Sequence, residues 1–386
     1  MRGLKLTLSA LALLASSVSA HAFDTRAKAA YVMDYNTGTV LMAKDADQPL
    51  PPASMSKLMT LYMAFEAIEN GILDLDQKLP VSAAAQQYGG STLFLKAGER
   101  VRVEDLIRGI IVLSGNDACV VIAEALAGTE SKFARQMTMR AQQLGMTNST
   151  FTNSNGWPKA GHRMSMRDLG LIASKLIKDY PQYYPMFAQK EFLFDPSESA
   201  NRLNRNPLLG LGIGADGLKT GHTQEAGYGL VGSAKQGQRR VIFVLSGLDT
   251  AQARANEAEA VTNWAFRQFS QTELGAKGTK IADADVSIGA EDSVGLELAE
   301  DISLLLPVNP IAPLKTEVVY NGPVKAPITK GDQIGELIIT PEGLPEQRVP
   351  LVADRSIARH GFVGRVVAAA QHLAKRINDG PAPEAS

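Results

Sequence analysis

The sequence predicts an α/β (α+β) domain followed by a small all-β domain and a C-terminal amphipathic helix. Three observations carry that prediction. β-rich runs stand near both ends of residues 23–272 with helical periodicity between them, which describes one sheet covered by helical layers. From about Leu274 the pattern changes to short alternating or β-branched runs divided by Gly, Pro and Asp, as in a small sandwich. After Gly361, apolar residues recur at helical spacing and basic residues fill other positions.

Residues 1–22 hold Arg2 and Lys5, an apolar run from Leu6 to Ala15, and then Ala20, His21 and Ala22, the layout of a cleavable secretory signal. The remainder is too long for one compact core and divides into two domains. Runs at 29–32 and 39–42 flank a polar turn from Asp34 to Gly38, which predicts an antiparallel hairpin at a sheet edge. The segment 55–70 is apolar nearly all round (Leu58, Met59, Leu61, Met63, Phe65, Ile68) and stops at Gly71, so it is a buried helix with Ser54 at its start. Further helices are expected at 103–113, 117–126, 130–144 and 165–178, the last opened by Ser165 and Asp168 in a capping pattern. Strands follow at 217–223, 228–233 and 240–247, then a helix from Ala253 to about Phe269.

The second domain, 273–353, carries strand patterns at 286–288, 294–298, 302–306, 317–320, 335–339 and 348–352. It shows no nucleophile-and-base pair, metal spacing or phosphate loop, so it reads as a spacer or docking module. The segment 354–377 places Phe362, Val366, Ala369, Ala370, Leu373 and Ile377 at helical spacing, with Arg359, Arg365, His372, Lys375 and Arg376 at other positions. Its apolar run is shorter than the roughly 20 residues needed to span a bilayer, which predicts a helix lying on the membrane surface. Residues 378–386 have the composition of a disordered tail.

A formal net charge of -1 gives no basic footprint for nucleic acid. Cys119 is the only cysteine, so no intrachain disulfide forms, and its neighbours Ala118, Val120, Val121 and Ile122 mark it as a packing residue. No cofactor or metal is expected.

Three short motifs occur in order: Ser54-Met55-Ser56-Lys57, Ser114-Gly115-Asn116 and Lys219-Thr220-Gly221. At average composition a chain of this length carries about one SxxK and about one SxN by chance, but only about a tenth of a KTG. Ser199-Ala200-Asn201 is such a chance SxN, whereas SxxK and KTG occur once each. Ser54 and Lys57, three apart on a helix, share a face, so an amine lies within reach of a hydroxyl. Serving as base requires burial or a neighbouring cation to lower the lysine from its ordinary pKa of about 10.4; the apolar helix and Lys219 supply both. The N–H of Ser54 and one from a facing strand are placed to form an oxyanion hole. His222 has no aspartate pairing and no Gly-x-Ser-x-Gly elbow precedes it, which disfavours a Ser-His-Asp triad.

The ordered trio is the signature set of the penicillin-interacting serine enzymes. Segments 52–60, 107–119 and 216–223 resemble the low-molecular-mass penicillin-binding proteins of the D-alanyl-D-alanine carboxypeptidase type, and the likeness covers nearly the whole mature chain. The resemblance implies a penicillin-binding, β-lactamase-like catalytic domain acting on the outer side of the inner membrane, on the D-alanine-terminated stem peptides of peptidoglycan. β-Lactams would be covalent inhibitors at Ser54. It further implies that Ser114 and Asn116 shuttle protons and hold substrate amides. Lys219 and Thr220 would receive a terminal carboxylate with help from Arg254, and Gly221 would leave room for substrate backbone. Gly89 and Ser91, with Gly90, match the loop bordering the family's site, and His222 a strand-end residue that tunes deacylation. Asn204-Arg205-Asn206 also matches a family segment, without an assigned role. Two rivals share features of the chain. A β-lactamase uses the same trio, but the Glu-x-x-Leu-Asn loop of its class A form is missing between Asn116 and Lys219; a catalytically idle envelope protein would have no need to keep every motif residue.

Overall fold

The computed structural model describes residues 23–198 and 200–360. The expected signal at 1–22, the amphipathic helix from Gly361 onward and the tail at 378–386 lie outside the described residues.

The chain opens with β1 (Ala29–Asp34) and β2 (Val40–Lys44), paired antiparallel around a turn in which Thr37 N donates to the Asp34 carboxylate. A 3₁₀ turn at Ala53–Ser56 runs into α1 (Lys57–Glu69). β3 (Lys78–Pro80), α2 (Ala83–Gln86) and β4 (Arg100–Arg102) follow, with β3 and β4 forming a small antiparallel pair. Three-residue strands span too few positions to show a period, so this pair is silent in the sequence. α3 (Val103–Arg108) passes into a π-helical turn at Gly109–Leu113, and α4 (Asn116–Ala127), α5 (Glu130–Gln143) and α6 (Met166–Asp179) complete the helical layer. Ser165 Oγ accepts from Asp168 N as the capping pattern predicts, but the Asp168 carboxylate turns to Asn148 N and Ser149 Oγ, tying the preceding loop to the helix start.

The sheet is completed by β5 (Ala215–Thr223), β6 (Gly227–Gln236) and β7 (Arg239–Leu248), and α7 (Ala251–Gln268) crosses its far face. Strand order is β2-β1-β7-β6-β5, all antiparallel, so β1 joins strands about two hundred residues later in the chain, with Tyr31 opposite Val244 and Val32 opposite Phe243. The period of two sorts these residues: Tyr31, Ile242 and Val244 enter the core shared with α1 and α6, while Val32, Phe243 and Leu245 meet Ala258, Val261 and Ala265 of α7. Burial on both faces explains why β7 reads as an unbroken apolar run. α1 is ringed by α4, α5 and α6, which is why its apolar residues occupy nearly every side.

Beyond α7 come β8 (Phe269–Gly275), β9 (Lys280–Ser287), β10 (Ser293–Leu298), β11 (Ile302–Pro307), β12 (Lys315–Tyr320), β13 (Val324–Lys325), β14 (Gln333–Thr340) and β15 (Gln347–Ala353). They form a six-stranded sheet, β12-β14-β15-β10-β9-β13, and a β11-β8 ribbon. Leu304 of the ribbon shares a core with Leu296, Leu337, Ile339 and Leu351 of the sheet. β8 is largely polar and exposed, and β9 interrupts its half-buried residues with exposed Lys280, Asp283 and Asp285, which hides both from a hydrophobic pattern search. Residues 354–360, placed by the sequence at the start of the anchor helix, are instead extended: Ile357 exchanges backbone hydrogen bonds with Ile328 and is buried, and Arg359 bridges to Gly289. The apolar Ile357 is satisfied by the β core, which removes it from any amphipathic face.

The β domain rests against the β2 edge. Phe269, Leu305 and Leu344 cluster with Leu41 and Trp264, and Gln347 Nε2 donates to Thr39 Oγ1 at 3.3 Å. The serine turn packs against β5, the opposite edge, about four strand spacings or ~19 Å away.

Candidate active site

Ser54 lies in the 3₁₀ turn ahead of α1 rather than in the α-helix itself. A 3₁₀ turn has three residues per turn and eclipses positions i and i+3, so Lys57 falls directly under Ser54, with Nζ 2.8 Å from Oγ. Lys57 has no solvent exposure. Its amine also donates to Asn116 Oδ1 at 2.7 Å and to the backbone carbonyl of Asn155. Burial pushes Lys57 down to about 8, and the Arg205 guanidinium adds to the effect, while Asp117 and Glu130 oppose it. Arg205 thus joins burial in lowering Lys57, and Lys219 is itself pushed well down by burial, then by Lys57 and Arg205.

These contacts define what the amine can do. A neutral primary amine has two N–H donors and one lone pair. The two carbonyl-type oxygens, from Asn116 and Asn155, can only accept, so they consume both hydrogens. The lone pair is left for Ser54, whose hydroxyl can donate.

The second wall follows the π-helical turn. Ser114 closes it in the left-handed region (φ 64°, ψ 35°), buried, with Oγ 3.0 Å from Lys219 Nζ. Asn116 opens α4 and engages both ends of its amide: Oδ1 faces Lys57, and Nδ2 donates to Gly89 O at 2.8 Å. Asn116 N donates to Ser91 O at 2.7 Å, so the 89–91 loop is tied to this residue at two points. The neighbouring Asp117 carboxylate accepts from Leu93 N, Leu95 N and Ala118 N, fixing the next stretch of the same loop.

On β5, Lys219 and Gly221 share one face. A Cβ at Gly221 would stand 3.0 Å from both Met55 Cγ and Pro52 O, so only glycine lets the strand lie this close to the serine turn. Thr220 and His222 point the other way; His222 is exposed and stacks on Tyr228 with ring centroids 3.9 Å apart. Arg254, in the first turn of α7, lies over the same Tyr228 ring at 5.8 Å and donates to Arg205 O. Arg205 donates to Ser91 Oγ at 2.9 Å and to Leu113 O at 2.6 Å. Burial pushes both arginines down, neither pairs with a carboxylate among the described residues, and Arg254 Nε is a buried donor without an acceptor. Such a pair of guanidiniums is prepared for an anion.

The structure brings Ser54, Lys57 and Asn116 together by hydrogen bonds, pairs Ser114 with Lys219, ties Gly89 and Ser91 to Asn116, and links Arg254 to Ser91 through Arg205, while Gly221 packs on the serine turn and Thr220 and His222 project from the opposite face of β5. Three participants escape sequence reasoning. Asn155 contributes a backbone carbonyl, which has no residue-type signature. Glu130 accepts from Ser154 N and Ser154 Oγ and thereby holds the segment carrying Asn155. Arg205 was visible only as part of a family-like segment. Cys119 lies fully buried with its thiol pushed up to about 12, in keeping with a packing role. Among the described residues no group of His, Cys, Asp and Glu is placed to hold a metal ion.

A serine faced by a buried lysine amine, with a second lysine and two unpaired arginines beside it, is the arrangement of the penicillin-interacting class of serine acyl-transfer proteins. Residues 16–250 match the peptidase S11 family, D-alanyl-D-alanine carboxypeptidase, and residues 269–359 match the C-terminal domain of penicillin-binding protein 5. The chain is 35% identical over 358 residues to D-alanyl-D-alanine carboxypeptidase DacC of Escherichia coli, covering 91% of this chain and 88% of that protein. Penicillin-binding protein 5 from Haemophilus influenzae superposes with a TM-score of 0.75 at 31% identity, covering 88% of this chain and 99% of that one. Penicillin-binding protein D2 from Listeria monocytogenes, solved in its ampicillin-bound form, matches at 32% identity and a TM-score of 0.57 over 63% of this chain and 98% of its own. The chain belongs to the D-alanyl-D-alanine carboxypeptidase family.

Proposed function

We propose that this protein is a serine-type D-Ala-D-Ala carboxypeptidase that removes the terminal D-alanine from peptidoglycan stem pentapeptides through an acyl-enzyme on Ser54. The observation that carries this reading is the buried Lys57 amine within hydrogen-bond distance of Ser54 Oγ, Asn116 Oδ1 and the Asn155 carbonyl, so that its neutral form, with both hydrogens on the two carbonyl-type oxygens, turns its lone pair to Ser54. Lys57 takes the Ser54 proton as Oγ attacks the carbonyl of the penultimate D-alanine. The resulting oxyanion is received by the N–H of Ser54 and one from β5. Collapse breaks the C–N bond; the leaving amine takes a proton through the Lys57–Ser114–Lys219 side of the cleft and departs as D-alanine. Water then hydrolyses the ester and restores Ser54.

Substrate register follows from charge. The terminal carboxylate is assigned to Lys219, Thr220 and Arg254, and the buried Arg254 Nε, a donor without an acceptor among the described residues, supports that assignment. Asn116, Gly89 and Ser91 border the acyl portion, β5 offers an extended peptide the free edge of the sheet while Gly221 seats that strand against the serine turn instead of leaving the room for substrate that the resemblance implies, and His222 flanks the deacylation side. β-Lactams, which imitate the dipeptide, would acylate the same serine; the ampicillin-bound form of the Listeria relative supports this.

For the whole chain the reading is a leader at 1–22, a catalytic domain through α7, a β domain that holds it off its support, and a segment beyond residue 360 that lies on the outer surface of the inner membrane. Among the described residues no helix is long and apolar enough to cross a membrane, which suits peripheral attachment. The deciding experiment is D-alanine release from a pentapeptide ending in D-Ala-D-Ala by the mature protein and its Ser54→Ala variant. Release that requires Ser54 is the expected result; penicillin acylation of Ser54 without D-alanine release would sink the carboxypeptidase reading.

A further inference from the structure

Trp157 is a large apolar side chain that stays 45% exposed although its backbone is fixed. Trp157 N donates to Asn155 Oδ1 and Trp157 O accepts from Asn153 Nδ2. It stands two residues after the carbonyl that accepts from Lys57 and one after Gly156, so it belongs to the rim of the cleft. The indole reaches the opposite loop: a Cβ on Gly90 would meet Trp157 Cζ3 at 2.8 Å and Asn116 Nδ2 at 3.3 Å. The indole edge and the Asn116 amide thus flank the same point.

Tyr88 extends this surface, meeting Trp157 edge to face with centroids 6.4 Å apart and rings at 83°. One carboxylate braces both partners. Glu130 Oε2 accepts from the Tyr88 hydroxyl at 2.6 Å, and Oε1 accepts from Ser154 at the base of the Trp157 segment. Along residues 88–91 the partners change from aromatic to cationic: Trp157 at Tyr88 and Gly90, and Arg205 at Ser91. With the terminal carboxylate held at the arginine end, the acyl part of a peptide runs past Asn116 toward the aromatic end.

We propose that Trp157 and Tyr88 form an aromatic subsite for the long aliphatic, ammonium-ended side chain of the residue that precedes D-Ala-D-Ala. The inference rests on the carboxypeptidase reading above. Methylenes of such a side chain lose water against the indole, and its ammonium is drawn to the ring face. The platform is braced before ligand arrives, so little ordering is left to oppose binding.

The test compares kcat/KM of the mature protein for acetyl-L-Lys-D-Ala-D-Ala, its Nε-acetylated form and acetyl-L-Ala-D-Ala-D-Ala, and repeats the set with Trp157→Ala, Trp157→Leu and Trp157→Phe. Unmodified protein should favour the lysyl over the alanyl peptide about tenfold, and Nε-acetylation should cost about threefold. Trp157→Ala should shrink the lysyl-to-alanyl ratio to about twofold, and Trp157→Leu should abolish the acetylation effect while keeping part of the ratio. Trp157→Phe should retain most of both. Equal losses on all three peptides would overturn the subsite and leave Trp157 a brace for its loop. If unmodified protein released D-alanine from none of them, the carboxypeptidase reading would fail. The subsite would then be judged on Ser54 acylation by benzylpenicillin against 6-aminopenicillanic acid, which differ by an aryl side chain. A benzylpenicillin preference lost in Trp157→Ala supports it, and one that survives overturns it.

Discussion

A Cβ at Gly156 would lie 1.9 Å from the carbonyl oxygen of Ala53, so the segment that follows Asn155 rests directly on the turn that presents Ser54. Gly156 also has φ 81°, a conformation that side chains rarely adopt. Gly156→Ala therefore meets strain and a backbone clash at once, for a combined cost of about 2–4 kcal/mol. The segment has to lift, which draws the Asn155 carbonyl from Lys57. Expected are a lower melting temperature and penicillin acylation slowed at least about tenfold. Thermal unfolding and stopped-flow acylation check this, and a wild-type acylation rate would show that the Asn155 carbonyl does not set the state of Lys57.

The depression of Lys57 to about 8 gives acylation a pH dependence of known sign. The competent amine is the neutral form, so the rate should rise with pH and level off above about 8, falling nearly tenfold per unit well below that. The same depression bears on stability. Between pH 8 and 10.5 the unfolded chain binds a proton that the folded chain does not, so this residue's contribution to stability rises with pH across that window and is lost as pH falls through it. Acylation rates from pH 6 to 10 check the first point. A flat profile would remove Lys57 as the base.

Glu130 makes no hydrogen bond to Ser54 or Lys57, yet its carboxylate joins α5 to Tyr88 and to Ser154. Glu130→Ala leaves a buried hydroxyl and a backbone N–H without their acceptor, at a cost of about 1–3 kcal/mol. Because both sides of the Asn155–Trp157 segment then loosen, acylation should slow several-fold in parallel with the loss of stability. Glu130→Gln, which keeps one acceptor oxygen, should fall between. Melting temperature and acylation rate measured together distinguish this from a variant that merely unfolds, since a purely global effect would leave the rate per folded molecule unchanged.

How far such residues could be foreseen depends on what kind of group they contribute. Ser54, Lys57, Ser114, Asn116 and Lys219 were legible because acyl transfer demands those side chains, and three short spacings record them in order. The helix around α1 and the strand β7 were legible because burial on all sides leaves an unbroken apolar record. Asn155 acts through its carbonyl, which any residue offers, and Glu130 acts at a distance set by tertiary packing between α5 and a loop. The strand β9 is only partly legible, since exposed Lys280, Asp283 and Asp285 give it the composition of a turn. The π-helical turn before Ser114 has the pattern of ordinary helix, because its residues Gly109–Leu113 are apolar in either geometry. Arg205 sat in a polar stretch whose position beside Ser91 is fixed by the fold, not by local pattern.

Arg205 and Arg254 supply the last prediction, because they have different work despite equal charge. Arg254 has an unused buried Nε donor, whereas Arg205 spends its fork on Ser91 Oγ and Leu113 O. A carboxylate accepting from a guanidinium gains about 1.5–3 kcal/mol per charged hydrogen bond, so Arg254→Ala should lower kcat/KM for a D-Ala-D-Ala peptide by about 10–150-fold. Most of the loss should appear on substrates with a free terminal carboxylate and little on the corresponding amide. Arg254→Lys keeps the charge without the planar fork and should recover only part. Arg205→Ala should act differently: it unclamps Ser91 from Leu113 and removes the cation that helps hold Lys57 neutral, so the acylation pH profile should move upward. Kinetics on the acid and amide substrates, joined to pH profiles of both variants, separate the roles. Equal discrimination between acid and amide in Arg254→Ala and in the unmodified protein would place the carboxylate elsewhere.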